Sequence, residues 1–289
     1  MNKENLACLG FSLINGVGPV VFKELLDSFK TANKAYSATF FQLNKILGKI
    51  LSEKIIKERA RDLNKYLDSL REKNINYVGF TDKNYPYLLK QIPDPPIGLF
   101  YYGNLQNYNW QDDMFLAIVG TRRPSQYGKK ITEEWARALS TKNIILVSGL
   151  AAGIDTLVHL GAVSSKKRTI AVLGSNIGYI YPSSNRGLVK EIVKHNGLVL
   201  SEFCPETKVS KAMFVSRNRI IAGLCKATLI IEGAKHSGTL ITARYSLNQG
   251  REVLVLPGQV DNPNSAAGLI MLQNGAIAVS TVSEVIEAL

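Results

Sequence analysis

From Met114 onward, short apolar runs rich in Val, Ile and Leu alternate with amphipathic stretches. The runs predict strands at 115–119, 144–148, 169–173, 198–202, 228–232 and 252–256, with a short one at 277–280. Each is nearly continuous in apolar residues, as expected where helices cover both faces of a parallel sheet. Between them, "YGKKITEEWARALSTK" and "NRGLVKEIVKHNG" carry helical spacing. This alternation predicts an α/β fold with a doubly wound, mostly parallel sheet. The first 72 residues or so read differently. In "VVFKELLDSF" apolar positions recur three and four apart, which predicts helix. A small all-helical domain is therefore expected over 1–74, and a sheet-based domain over 75–289. The stretch 75–113 is rich in Pro, Tyr and turn residues and reads as a connecting region. Within it, "INYVGF" and "IGLFYYG" are strand-like.

Ligands of such sheets bind beyond the carboxyl ends of the strands. The segments that follow the predicted strands there are "GTRRPSQYG", "GLAAGID", "GSNIGYIYPSSN", "GAKHSGTLITA" and "PGQVDNPNSAAG". All contain glycine, which lets backbone approach a ligand closely. Together they predict a rim of N–H donors and helix N-termini suited to phosphate. None matches GxGxxG or GxxxxGK[ST]. Taken singly, each is an ordinary strand-to-helix turn. Their cations make the set distinctive: Arg122 and Arg123 in the first, Lys235 in the fourth, and Arg217 and Arg219 in "SRNRIIAGL". The last stretch is expected to start a helix capped by Ser216, which places two arginines at its positive end. Either a bound anion offsets them, or they pair with a buried acid, for which Glu202 and Glu232 are the candidates. In "KHSGT", Ser237 and Thr239 offer hydroxyls and Gly238 offers close approach; Ser237 as a plain N-cap is the simpler alternative.

Composition sharpens this picture. The 289 residues hold 35 Lys+Arg against 23 Asp+Glu, a net charge of +12. Such an excess favours polyanionic partners, though a basic enzyme is also compatible with it. Cys8, Cys204 and Cys225 form no CxxC, and His159, His195 and His236 lie far apart, so neither a disulfide framework nor a zinc site is expected. No apolar run approaches the roughly 20 residues of a spanning helix. Together these predict a cytoplasmic protein with no membrane insertion, metal or cofactor.

Two resemblances follow from particular residues. "NGVGPVVFKELL" is similar to the hairpin of helix-hairpin-helix modules, whose glycine loop presents N–H groups to a DNA phosphate; a plain turn between helices fits it as well. More extensively, "GTRRPSQYGKK", "VSGLAAGIDTLVHLGA", "TIAVLGSNIGYIYPSSN", "FVSRNRIIAGL", "EGAKHSGTLITARYSLNQGREVLVLPG" and "LIMLQNGA" occur in the order seen in the DNA-processing protein A (DprA/Smf) family. The resemblance covers most of residues 80–280. It implies a Rossmann-like core that binds single-stranded DNA as a homodimer and loads the RecA recombinase onto incoming strands in natural transformation, with no catalytic reaction. By position it implies a DNA site of Gly120, Thr121 and Arg122; Ser148 and Gly149; Arg217, Asn218 and Arg219; and Lys235, Ser237, Gly238 and Thr239. The N-terminal helices resemble the family's sterile-alpha-motif or hairpin-type domain. Glu206 in "SEFCPET" stands where relatives place Gly, and "NSAAGLI" departs from the family's form. The end at Leu289 predicts no C-terminal winged helix.

Two other functions compete with strand binding at the sheet. A nucleotide sensor or nucleoside-phosphate hydrolase needs a carboxylate beside the phosphate, for which Asp155 and Glu232 are the candidates. Alternatively, residues 1–72 alone bind DNA. Tyr127, Tyr179 and Tyr181 are candidate stacking platforms for unpaired bases.

Overall fold

The computed structural model describes residues 1–289. Six helices occupy Lys3–Ser12, Pro19–Phe29, Ala32–Ser37, Phe40–Leu47, Lys49–Glu58 and Leu63–Arg71. Their boundaries follow local chemistry. Asn2 caps the first through its side chain, Pro19 opens the second, Thr39 and Gln42 form a capping box, and Asp62 accepts the N–H groups of Asn64 and Lys65.

Nine strands then build one sheet. They are β1 (Asn76–Gly79), β2 (Gly98–Tyr102), β3 (Met114–Val119), β4 (Ile144–Ser148), β5 (Thr169–Val172), β6 (Leu198–Ser201), β7 (Ala227–Ile230), β8 (Glu252–Val255) and β9 (Ile277–Ala278). Their order is β1-β2-β6-β5-β4-β3-β7-β8-β9. β3 to β9 pair in parallel, and Ala117 faces Val147 on one side and Thr228 on the other. The chain runs from β3 outward to β6, then returns to the other side of β3, so the switch point lies between β3 and β7.

β1 and β2 form in the strand-like "INYVGF" and "IGLFYYG", which corrects the reading of 75–113 as no more than a connecting region. These residues extend the sheet, with β2 antiparallel to both β1 and β6.

Strand alternation sends successive side chains to opposite faces. Phe115, Ala117 and Val119 pack with Ile220, Ile221, Leu240 and Ala243 on one face. Leu116 and Ile118 pack with Trp135, Leu139, Ile154 and Val158 on the other. On that second face, the N-terminal helices cover β1, β2, β5 and β6. Leu9, Phe11 and Leu25 share a core with Tyr77, Phe100, Ala171 and Val199. Polar ties fix the same junction: Gly79 N–H donates to buried Asn5 Oδ1 at 2.7 Å, and Tyr66 O–H donates to Glu206 at 2.7 Å. Glu206 thus anchors the loop after β6 to the helical part. No helix is long and apolar enough to cross a membrane.

Candidate nucleic-acid interface

The turns at the carboxyl ends of β3, β4 and β7 lock one another. Thr121 N–H donates to Glu232 O at 2.7 Å, and Ile154 N–H donates to Thr121 O at 3.1 Å. Glu232, 4% exposed, accepts from Ser125 N–H at 2.9 Å and from its hydroxyl. Ser125 in turn caps the helix Gln126–Thr141 by accepting Gly128 N–H at 3.0 Å. Gly120 sits against Ile154 and Glu232 O with no space for a side chain. These internal bonds hold Arg122 and Arg123 outward, both exposed, on a fixed turn.

The turn after β4 is held from below. Asp155 accepts the N–H groups of Gly149 at 3.1 Å and Ala151 at 3.3 Å. Burial raises the Asp155 pKa, while the nearby Arg217 charge opposes that rise. Ser148 is fully buried and donates its hydroxyl to Ile118 O at 2.7 Å. Its expected role toward DNA is therefore corrected: its hydroxyl is used inside the sheet. Gly149 is buried against Arg217 and lines the pocket beside it, with its N–H already bonded to Asp155.

The two arginines of "SRNRIIAGL" separate in function. Ser216 caps no helix. It ends the helix Lys211–Ser216 and donates its hydroxyl back to Met213 O, and Arg217, itself in helical conformation, joins this helix to Asn218–Gly223. Arg219 is 4% exposed and pairs with Glu202 at 2.5 Å and with Asp94 at 3.1 Å. Its charge is met internally, so the expected phosphate contact by Arg219 is corrected to a structural ion pair. Arg217 is 5% exposed, but no carboxylate lies within ion-pair distance. It donates to the carbonyls of Gly149 and Val172, and through Nε to Asn218 Oδ1 at 3.1 Å. Burial lowers its pKa to about 10; Asp155 opposes that fall and Arg122 adds to it. Asn218 is 7% exposed, and its Nδ2 donates to Gly238 O at 3.4 Å. It is a brace between two loops.

Arg122, Gly149 and Arg217 line a small pocket of about 60 Å³ with Tyr181 and Phe214 on its wall. The two rings meet edge to face at 5.6 Å and 74°. Tyr181 is 48% exposed, as is Tyr179, and Tyr127 is 52% exposed. The sequence reading missed Phe214. Its signal is spacing: Phe214 and Arg217 are three apart on a continuous helical path and so share a face.

The turn after β7 exposes Lys235 and His236. Ser237 precedes the helix Gly238–Asn248 in extended conformation, yet its hydroxyl caps nothing. The hydroxyls of Ser237 and Thr239 are shielded and have no partner, and Thr239 is 4% exposed. Two unmade hydrogen bonds at a helix N-terminus suit an anion. The rim is therefore built from Gly120, Thr121 and Arg122, from Gly149 and Arg217, and from Lys235, Ser237, Gly238 and Thr239, braced by Asn218. The three cysteines are buried and unpaired, and no three His, Cys, Asp or Glu side chains gather as a metal set.

Comparison with known proteins agrees in fold. A Smf protein of Synechocystis is 37% identical over 293 residues, covering 100% of this chain and 73% of that protein. DprA of Bacillus subtilis is 38% identical over 227 residues, covering 78% of this chain and 75% of its own. The X-ray structure of DprA from Streptococcus pneumoniae superposes with a TM-score of 0.83 at 29% identity, covering 99% of this chain and 98% of that one. DNA processing protein A from Helicobacter pylori, whose structure concerns its single-stranded DNA binding mode, superposes with a TM-score of 0.65 at 28% identity, covering 74% of this chain and 94% of its own. Residues 76–289 match the family described as DNA recombination-mediator protein A, and the chain belongs to that family.

Proposed function

We propose that the carboxyl edge of the sheet binds the backbone of single-stranded DNA, and that the protein, as a homodimer, delivers that strand to the RecA recombinase without catalysing a reaction. One observation carries the binding site: Arg217 is buried without a carboxylate partner, at a pocket whose rim carries the exposed Arg122. Two guanidiniums at one small pocket repel each other, and a phosphate oxygen relieves both. A charge-assisted contact contributes roughly 1.5–3 kcal/mol, which exceeds the roughly 0.3–1 kcal/mol at stake at a helix terminus. Lys235, with the unpartnered hydroxyls of Ser237 and Thr239, offers a second grip on the same strand.

Tyr181 and Phe214 supply the preference for unpaired bases. Their rings flank the phosphate pocket, where a splayed base can stack and a paired one cannot reach. The nucleotide-hydrolysis alternative loses its acids: Asp155 is committed to loop N–H groups and Glu232 to Ser125.

The test compares an oligothymidylate with duplex DNA of equal length in a gel-shift series. Single strands are expected to bind more tightly. Phe214→Ala is expected to weaken only the single-strand complex, by about 1–3 kcal/mol per stacked base. Equal loss for duplex and single strand, or none for either, contradicts the stacking assignment.

A further inference from the structure

A second basic groove lies at the opposite end of the sheet. Asn76 begins β1 there, opposite the end of β2, and the helix Arg186–Lys194 forms the far wall. The groove has a volume of about 860 Å³. It is separated from the carboxyl edge by the length of β6, four residues or about 13 Å. It is therefore distinct from the site described above.

Its lining has one sign. Arg71, Lys73, Lys190 and Lys194 are exposed on it, and no carboxylate lines it. Two of the four have acidic neighbours on their own helices: Arg71 meets Asp68 at 2.8 Å, and Lys194 meets Glu191 at 3.3 Å. Both are exposed pairs three residues apart, the kind a phosphate displaces at little cost. Lys73 and Lys190 have no ion-pair partner, and the side chains of Asn74 and Asn76 make no hydrogen bond within the protein. The helix Arg186–Lys194 points its carboxyl end toward the groove, which contributes about half a negative charge. Four full cations outweigh it. Point charges beside free amide groups on an open channel suit a chain of phosphates and base edges.

We propose that this groove holds the backbone of a second stretch of single-stranded DNA, so that a long strand engages both ends of the sheet. The inference takes its ligand from the function proposed above but none of its residues. The helical part supplies Arg71, and the segment leading into β1 supplies Lys73, so the junction between helices and sheet is itself a binding element.

The test is Lys73→Ala/Lys190→Ala/Lys194→Ala in the full chain, with each single variant beside it. All three side chains are exposed and the fold is expected to hold, as a thermal melt checks. Binding is measured with oligothymidylates of about 6 and about 30 nucleotides, lengths that fill one site or reach both. For the longer strand, affinity is expected to fall about tenfold or more, and the slope of log affinity against log salt to flatten by about 2. A bromodeoxyuridine-substituted strand is expected to cross-link to peptides 71–76 and 186–196. Arg122→Ala/Lys235→Ala is expected to retain weak binding of the longer strand, which the added groove substitutions remove. If only the carboxyl-edge reading fails, that double variant binds as the unaltered protein does while the groove variant still loses affinity. Unchanged long-strand affinity and salt slope in a folded groove variant overturns the proposal and leaves the groove to an acidic protein segment. Cross-links confined to the carboxyl-edge loops overturn it as well.

Discussion

Arg219 and Arg217 stand two positions apart and face different partners, Glu202 with Asp94 for the first and backbone carbonyls beside Arg122 for the second. Removing one member of a buried pair leaves an uncompensated charge, so Arg219→Met is expected to destabilise the protein by about 3–5 kcal/mol. Chemical denaturation measures this, and the salt slope of DNA binding is expected to stay unchanged. His159 gives a second prediction. It is fully buried, its Nδ1 lies 2.9 Å from Thr169 Oγ1, and burial with the nearby Arg217 charge lowers its pKa from 6.5 to about 3. The unfolded chain then binds more protons across that window. Stability is full above the unfolded value and falls as pH drops toward the folded one, by about 2 kcal/mol between about pH 8 and about pH 5. His159→Gln is expected to flatten this dependence in a denaturation series. At this scale the sequence was partly legible. "RNR" marked a charged site, but which guanidinium meets an acid depends on β6 and on the segment around Asp94, far away in the chain.

At the scale of elements, the cap of the helix Gln126–Thr141 and the turn after β7 form one unit through Ser125 and Glu232. Gly128 is buried in the first turn of this helix, and an added Cβ there comes within 2.5 Å of the Glu232 carboxylate. Alanine at an exposed helical glycine gains about 1 kcal/mol. Here the clash displaces Glu232 and loosens the cap, so Gly128→Ala is expected to destabilise by about 1–3 kcal/mol in thermal unfolding. The six strands from β3 to β8 were legible because both faces are covered and the runs stay apolar, whereas β9 is exposed and was marked only by its short apolar run. β1 and β2 fall on the strand-like "INYVGF" and "IGLFYYG", but their place in the sheet was not legible, because it depends on the antiparallel pairing of β2 with the distant β6. The Ser216 cap was misread because a lone Ser before an apolar run looks like a helix start, whereas the chain is already helical from Lys211.

For the whole molecule, the helices before Arg71 and the sheet share one core, with Leu9, Phe11 and Leu25 packed against Tyr77, Phe100 and Val199. The change of composition near residue 74 marks a change of element type, and the apolar packing continues across it. Exposed cations stand at both edges of the sheet, Arg122 and Lys235 at one and Arg71, Lys73, Lys190 and Lys194 at the other, and the total charge of +12 holds no trace of that arrangement. The central claim is that the carboxyl-edge cations hold a DNA backbone. Arg122 and Lys235 are exposed, and neither side chain makes a hydrogen bond or ion pair within the protein. The most direct measurement is the salt dependence of single-strand affinity for the unaltered protein and for Arg122→Ala/Lys235→Ala. Each lost phosphate contact is expected to flatten the slope by about 0.7, with the melting temperature unchanged. A folded double variant with the same affinity and the same slope would contradict the claim.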